Sequence, residues 1–136
     1  MELSFIIIED RELDCFIVQK LIERVTNNAR IDAFPSAVEV IEGIKNDPAQ
    51  RKDHLTIIFL DIMLPVMSGF EFIETFETLD EEVRANYFIV AFTSSMNKSD
   101  FDRLNGYQSV HHVFRKPVTQ ADISSVIDEA QAFCVS

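Results

Sequence analysis

The sequence predicts a doubly wound α/β fold, with five parallel strands in the order 2-1-3-4-5 and five helices. Three observations predict it. Short, wholly apolar runs alternate five times with segments of helical periodicity, and strands apolar on both faces belong to a parallel sheet covered by helices. Right-handed crossovers leave few topologies for such a chain. The 136 residues, 47% apolar with 12 Phe and no Trp, suffice for one core, so residues 1–136 are read as a single domain.

Leu3 to Ile8 is the first buried strand, and Leu13, Phe16, Ile17, Leu21 and Val25 mark a helix by their spacing. Arg30 to Phe34 is the second strand. Ser36, with Glu39 three residues on, is a capping signature for a helix carrying Val38, Ile41 and Ile44 that stops near Asn46-Asp47-Pro48. His54 to Leu60 is the third strand, and a helix runs from Phe70 to about Leu79. Tyr87 to Phe92 is the fourth strand. Lys98 to Leu104 is a short helix with Gly106 at its C-cap. Val110 to Phe114 is the fifth strand. Thr119 with Asp122 caps the last helix, whose core face is Ile123, Val126, Ile127, Ala130 and Phe133.

The charge balance excludes some functions. At a formal −11, the chain lacks the basic stripe that direct nucleic-acid binding needs. No apolar run is long enough to insert in a membrane, and Met1-Glu2-Leu3-Ser4 lacks the basic start of a secretory leader. Cys15 and Cys134 have no metal-ligand spacing and read as reduced packing residues of a cytoplasmic protein.

The chemistry sits where the strands end. Strand one ends in Glu9-Asp10, strand three in Asp61, strand four in Thr93-Ser94-Ser95 and strand five in Lys116-Pro117. The 2-1-3-4-5 order brings these ends to one crevice, at the edge where open α/β sheets bind ligands. Singly, each has a plainer reading: strand-end acids cap helices, and a lysine before proline is surface. Together, three carboxylates repel one another unless a hard cation such as Mg²⁺ neutralises them. The Thr93 hydroxyl and Lys116 ammonium suit the oxygens of a phosphoryl group, and a carboxylate can accept that group as a nucleophile.

The segments Ile7-Ile8-Glu9-Asp10, Phe59-Leu60-Asp61-Ile62-Met63-Leu64-Pro65-Val66-Met67-Ser68-Gly69, Val90-Ala91-Phe92-Thr93-Ser94-Ser95 and Phe114-Arg115-Lys116-Pro117-Val118 resemble the receiver domain of two-component response regulators, a flavodoxin-like fold. The resemblance covers essentially the whole chain. It implies that Asp61 is the phosphoacceptor, and that Glu9, Asp10, Asp61 and the backbone carbonyl of Met63 hold Mg²⁺. It implies that Thr93 is the switch hydroxyl, that Lys116 pairs with the phosphoryl group, and that the bond before Pro117 is cis. The implied partners are a histidine kinase or histidine phosphotransfer protein and a downstream protein target. The implied role is signalling rather than turnover. Two departures stand out: Glu9 replaces the family's common Asp, and Val113 occupies the place of a rotating Tyr or Phe. Phe114 is adjacent but points to the other face of the strand.

Three other readings compete. A haloacid-dehalogenase-like phosphatase shares the nucleophile, hydroxyl, lysine and Mg²⁺, but needs an acid where Met63 stands. A flavin-binding module would find Glu9-Asp10-Arg11-Glu12 repelling its phosphate. An interaction domain with an unphosphorylated site is the third. His111-His112 reads as structural or surface, since neighbours on a strand face opposite sides and cannot chelate one ion together, and His54 carries no signal.

Overall fold

The computed structural model describes residues 2–46 and 54–135, with only the backbone of 134 and 135. The expected helix stop at Asp47-Pro48 and the packing of Cys134 lie outside the described residues. The elements run β1 (Glu2–Ile8), α1 (Glu12–Val25), β2 (Arg30–Phe34), α2 (Ala37–Asn46), β3 (His54–Asp61), α3 (Gly69–Phe76), α4 (Glu81–Arg84), β4 (Tyr87–Thr93), α5 (Lys98–Asn105), β5 (Val110–Arg115) and α6 (Gln120–Val135). All strand pairs are parallel and the order is 2-1-3-4-5, as the alternation predicts.

Successive residues of the central strands divide between two cores, because side chains alternate across a sheet. Ile57 and Phe59 join Ile7, Val90 and Phe92 beneath α1 and α6. Ile58 and Leu60 join Ile8, Ile89 and Ala91 beneath α2, α3 and α5, where Phe72, Ile73 and Phe76 fill the space. Cys15 is a free thiol packed against the first core. At the N-terminal edge of β1 and β3, the Ser4 hydroxyl bonds Thr56 Oγ1 and His54 Nε2, both at 3.0 Å, so His54 closes a polar cap on the sheet.

Local chemistry sets the helix starts. The Ser36 hydroxyl accepts the Val38 amide ahead of α2. Thr119 and Asp122 exchange side-chain-to-amide bonds at 3.0 and 3.1 Å ahead of α6. Ser68 and Glu71 make the same reciprocal box for α3. Gly106 caps α5 in right-handed conformation (φ −80°), its amide shared between the Asp102 and Arg103 carbonyls.

Three local expectations need correction. Six helices, not five, occur among the described residues. The helix expected to reach Leu79 ends at Phe76, where Thr78 and Leu79 bond back three residues instead of four. Asp80 then starts the one-turn α4, its carbonyl accepting the Val83 and Arg84 amides. The two histidines do not face apart. The β4–β5 register slips between Ile89 and Val90, leaving His111 as the extra residue of a bulge. His111 stacks on Phe88 with ring centroids 4.1 Å apart, and His112 stacks on Phe114 and meets Glu129 of α6 at 3.0 Å. Both rings therefore lie on the α6 side.

Candidate functional site

β1, β3, β4 and β5 end at one edge of the sheet, and of the side chains expected there Glu9, Asp10, Asp61 and Lys116 do gather. Carboxylate oxygens of Glu9, Asp10 and Asp61 all lie within 4.8 Å of one another. Asp61 is the last residue of β3, 2% exposed and paired in register with Phe92. Its Oδ1 accepts the Met63 amide at 3.2 Å and its Oδ2 lies 3.5 Å from Lys116 Nζ. Glu9 is 3% exposed, whereas Asp10 stands open to solvent. Glu9 Oε1 accepts the Arg11 amide at 3.1 Å, and its Oε2 meets Lys116 Nζ at 2.7 Å.

Thr93 ends β4 fully buried, one position beyond the partner of Asp61. Its hydroxyl accepts the Ser95 amide at 3.0 Å, and its carbonyl accepts the Lys116 amide at 2.9 Å, tying the β4 and β5 ends together. Ser95 donates to Asp100 at 2.8 Å, and Asn97 caps α5, so the loop after Thr93 is held by its own side chains. The Lys116–Pro117 bond is cis, as expected. Lys116 Nζ also lies 5.3 Å from the centre of the Phe92 ring.

Charge is out of balance here. Burial pushes the Glu9 carboxyl up to about 7, against the pull of Lys116 and the Arg11 amide, with the Asp61 charge adding to the rise. Burial alone would lower the Lys116 ammonium. Its hydrogen bonds to Glu9 and Asp14 and the nearby carboxylate charges outweigh that and hold it above its ordinary value. One lysine thus does not balance these acids. A hard divalent cation with oxygen ligands fits the donor set of Glu9, Asp10 and Asp61. The Met63 carbonyl belongs to the turn that wraps Asp61.

The loop to α3 is shaped around Asp61. Val66 follows Pro65 at φ 68°, a left-handed conformation that a β-branched residue rarely adopts. Gly69 opens α3 hard against the strand end. A β-carbon there would sit 2.7 Å from Ile62 Cα and 2.9 Å from the Asp61 carbonyl oxygen, so glycine is obligatory.

Asp14, in the first turn of α1, was not singled out from sequence. Its Oδ2 meets Lys116 Nζ at 3.0 Å. The sequence marked it only as an acid in the first turn of a helix. Val113 packs half-buried against the α3/α5 core and Phe114 against the other, as strand alternation requires.

The family model described as response regulator receiver domain matches residues 5–128. No curated protein matches the chain. A solved response regulator receiver protein from Dyadobacter fermentans is similar at 26% identity and TM-score 0.79, covering 93% of this chain and 96% of that one. A two-component response regulator from Cytophaga hutchinsonii aligns at 20% identity and TM-score 0.83, over 96% of this chain and 98% of that one. One from Legionella pneumophila aligns at 18% and 0.77, over 96% and 99%. The last two bear on the fold alone.

Proposed function

The chain belongs to the response regulator receiver domain family, and from that premise we propose that residues 1–136 form one receiver domain that accepts a phosphoryl group on Asp61. The donor is a phosphohistidine on a kinase or phosphotransfer protein, or a small acyl phosphate. An Asp61 carboxylate oxygen bonds to phosphorus while the donor's bond to phosphorus breaks, phosphorus–nitrogen in a phosphohistidine and phosphorus–oxygen in an acyl phosphate. The electron pair stays on the departing imidazole or carboxylate, and Asp61 becomes an acyl phosphate. Glu9, Asp10, Asp61 and the Met63 carbonyl hold Mg²⁺, which when bound neutralises charge on the transferred oxygens. Lys116 supplies the remaining positive charge. The Thr93 hydroxyl, which accepts the Ser95 amide, turns its own O–H to donate to a phosphoryl oxygen, and that movement alters affinity for a protein target.

The observation that carries this reading is Asp61 itself. It is a buried strand-end carboxylate within 4.8 Å of two other acids and 3.5 Å from Lys116. A protein partner is favoured by the exposed apolar side chains beside the pocket. Leu13 and Phe16 lie on α1, Met63 and Val66 on the loop after β3, and Met96 on the loop after β4. An aspartyl phosphatase would need a proton donor two residues after Asp61, where Met63 has none. A cytoplasmic setting suits exchange with a kinase, and no helix among the described residues is long and apolar enough to cross a membrane.

The test is intact mass after incubation with acetyl phosphate and Mg²⁺. One phosphoryl adduct is expected; it should not form when Mg²⁺ is chelated beforehand, and it should be absent from Asp61→Asn. An adduct that persists in Asp61→Asn, or never forms on the parent, overturns the proposal.

A further inference from the structure

Lys116 does not belong to Asp61 alone. Its ammonium has three N–H donors. The two closest carboxylate oxygens are Glu9 Oε2 at 2.7 Å and Asp14 Oδ2 at 3.0 Å, with Asp61 Oδ2 farther off at 3.5 Å. Glu9 and Asp61 are within reach of a shared cation. Asp14 belongs to neither that trio nor the strand ends, and it approaches from α1, its side chain 28% exposed. Three carboxylates therefore meet one ammonium, and with Asp10 beside Glu9 and Asp61 the pocket holds four acids. Three of them would balance that ammonium together with a divalent cation, and Asp14 is the charge in excess.

We infer that Asp14 is a positioning residue for the phosphoryl-transfer reaction, drawing the Lys116 ammonium toward α1 and opposing the arrival of the phosphoryl group. The inference rests on the receiver reading above. Its logic is competition for one set of N–H donors. A phosphoryl group on Asp61 brings three acceptor oxygens and about two negative charges, and it needs the lysine that Asp14 holds. The same excess charge helps a cation and hinders an anion, so its removal moves the two in opposite directions. A helix that had merely lost packing would weaken both.

The experiment compares the parent, Asp14→Asn and Asp14→Glu. It measures the rate of phosphorylation by acetyl phosphate at saturating Mg²⁺, and Mg²⁺ affinity by calorimetry. For Asp14→Asn, phosphorylation faster by roughly threefold or more and Mg²⁺ binding weaker by a similar factor are expected, the size of one partly screened charge. Asp14→Glu, which keeps the charge, returns both values toward the parent. Equal or slower phosphorylation of Asp14→Asn, or loss of both properties together, overturns the inference while the receiver reading stands. A parent that takes no phosphoryl group overturns both.

Discussion

At the scale of single residues, the site is a matter of which atoms the backbone delivers. Glu9, Asp61, Thr93 and Lys116 were legible in the sequence because each ends an apolar run, and a strand end fixes where its last side chain can be. Asp14 was not legible, because only the bend between β1 and α1 decides which residue of the first turn meets Lys116. Val66 was equally silent, since nothing in its neighbours announces φ 68° on a β-branched residue. It is 92% exposed, so its side chain buries almost nothing in return for the strain. Val66→Asn, which adopts that conformation readily, is expected to stabilise the protein by about 1 kcal/mol. The check is a higher urea midpoint at unchanged slope.

At the scale of elements, hydrophobic period found every strand and five of the six helices, and missed what breaks a period. The α3 pattern runs on to Leu79, which does pack on the core, but the backbone reaches that place by a turn and not by continued helix. The β5 bulge is invisible because one extra residue leaves composition unchanged while reversing the face of His111. Packing on Phe88 and Phe133 buries part of that ring and lowers its pKa from 6.5, against a smaller upward pull from Glu129. The unfolded chain then binds the proton more readily than the folded one. The contribution of this contact is present above pH 6.5 and is lost as pH falls below it. Urea unfolding at pH 7.5 and 5.5 should show a larger loss of stability in the parent than in His111→Gln, and equal losses would refute the assignment.

At the scale of the whole molecule, the sheet has a polar front and a capped back. Alternation and handedness made that arrangement predictable, and what they could not give is how unevenly its charge is met. Glu9 is buried against one shared lysine, so a cation that binds there stabilises the folded state alone. At a hundredfold excess over its dissociation constant, Mg²⁺ should raise stability by about 2.7 kcal/mol. The expected sign is a higher melting temperature with Mg²⁺ than with chelator, and a smaller gain in Asp61→Asn. A melting temperature indifferent to Mg²⁺ in the parent would remove the metal from the account.

The bare α-carbon of Gly69 has a mechanical consequence. With no side chain between them, α3 rests directly on the peptide that carries Asp61, like a follower on a cam. Any small rotation of that peptide must lift or tilt the helix, because the contact has no slack to absorb it. Where Val113 offers no ring to swing, motion at Asp61 still has a linkage to the outside through α3.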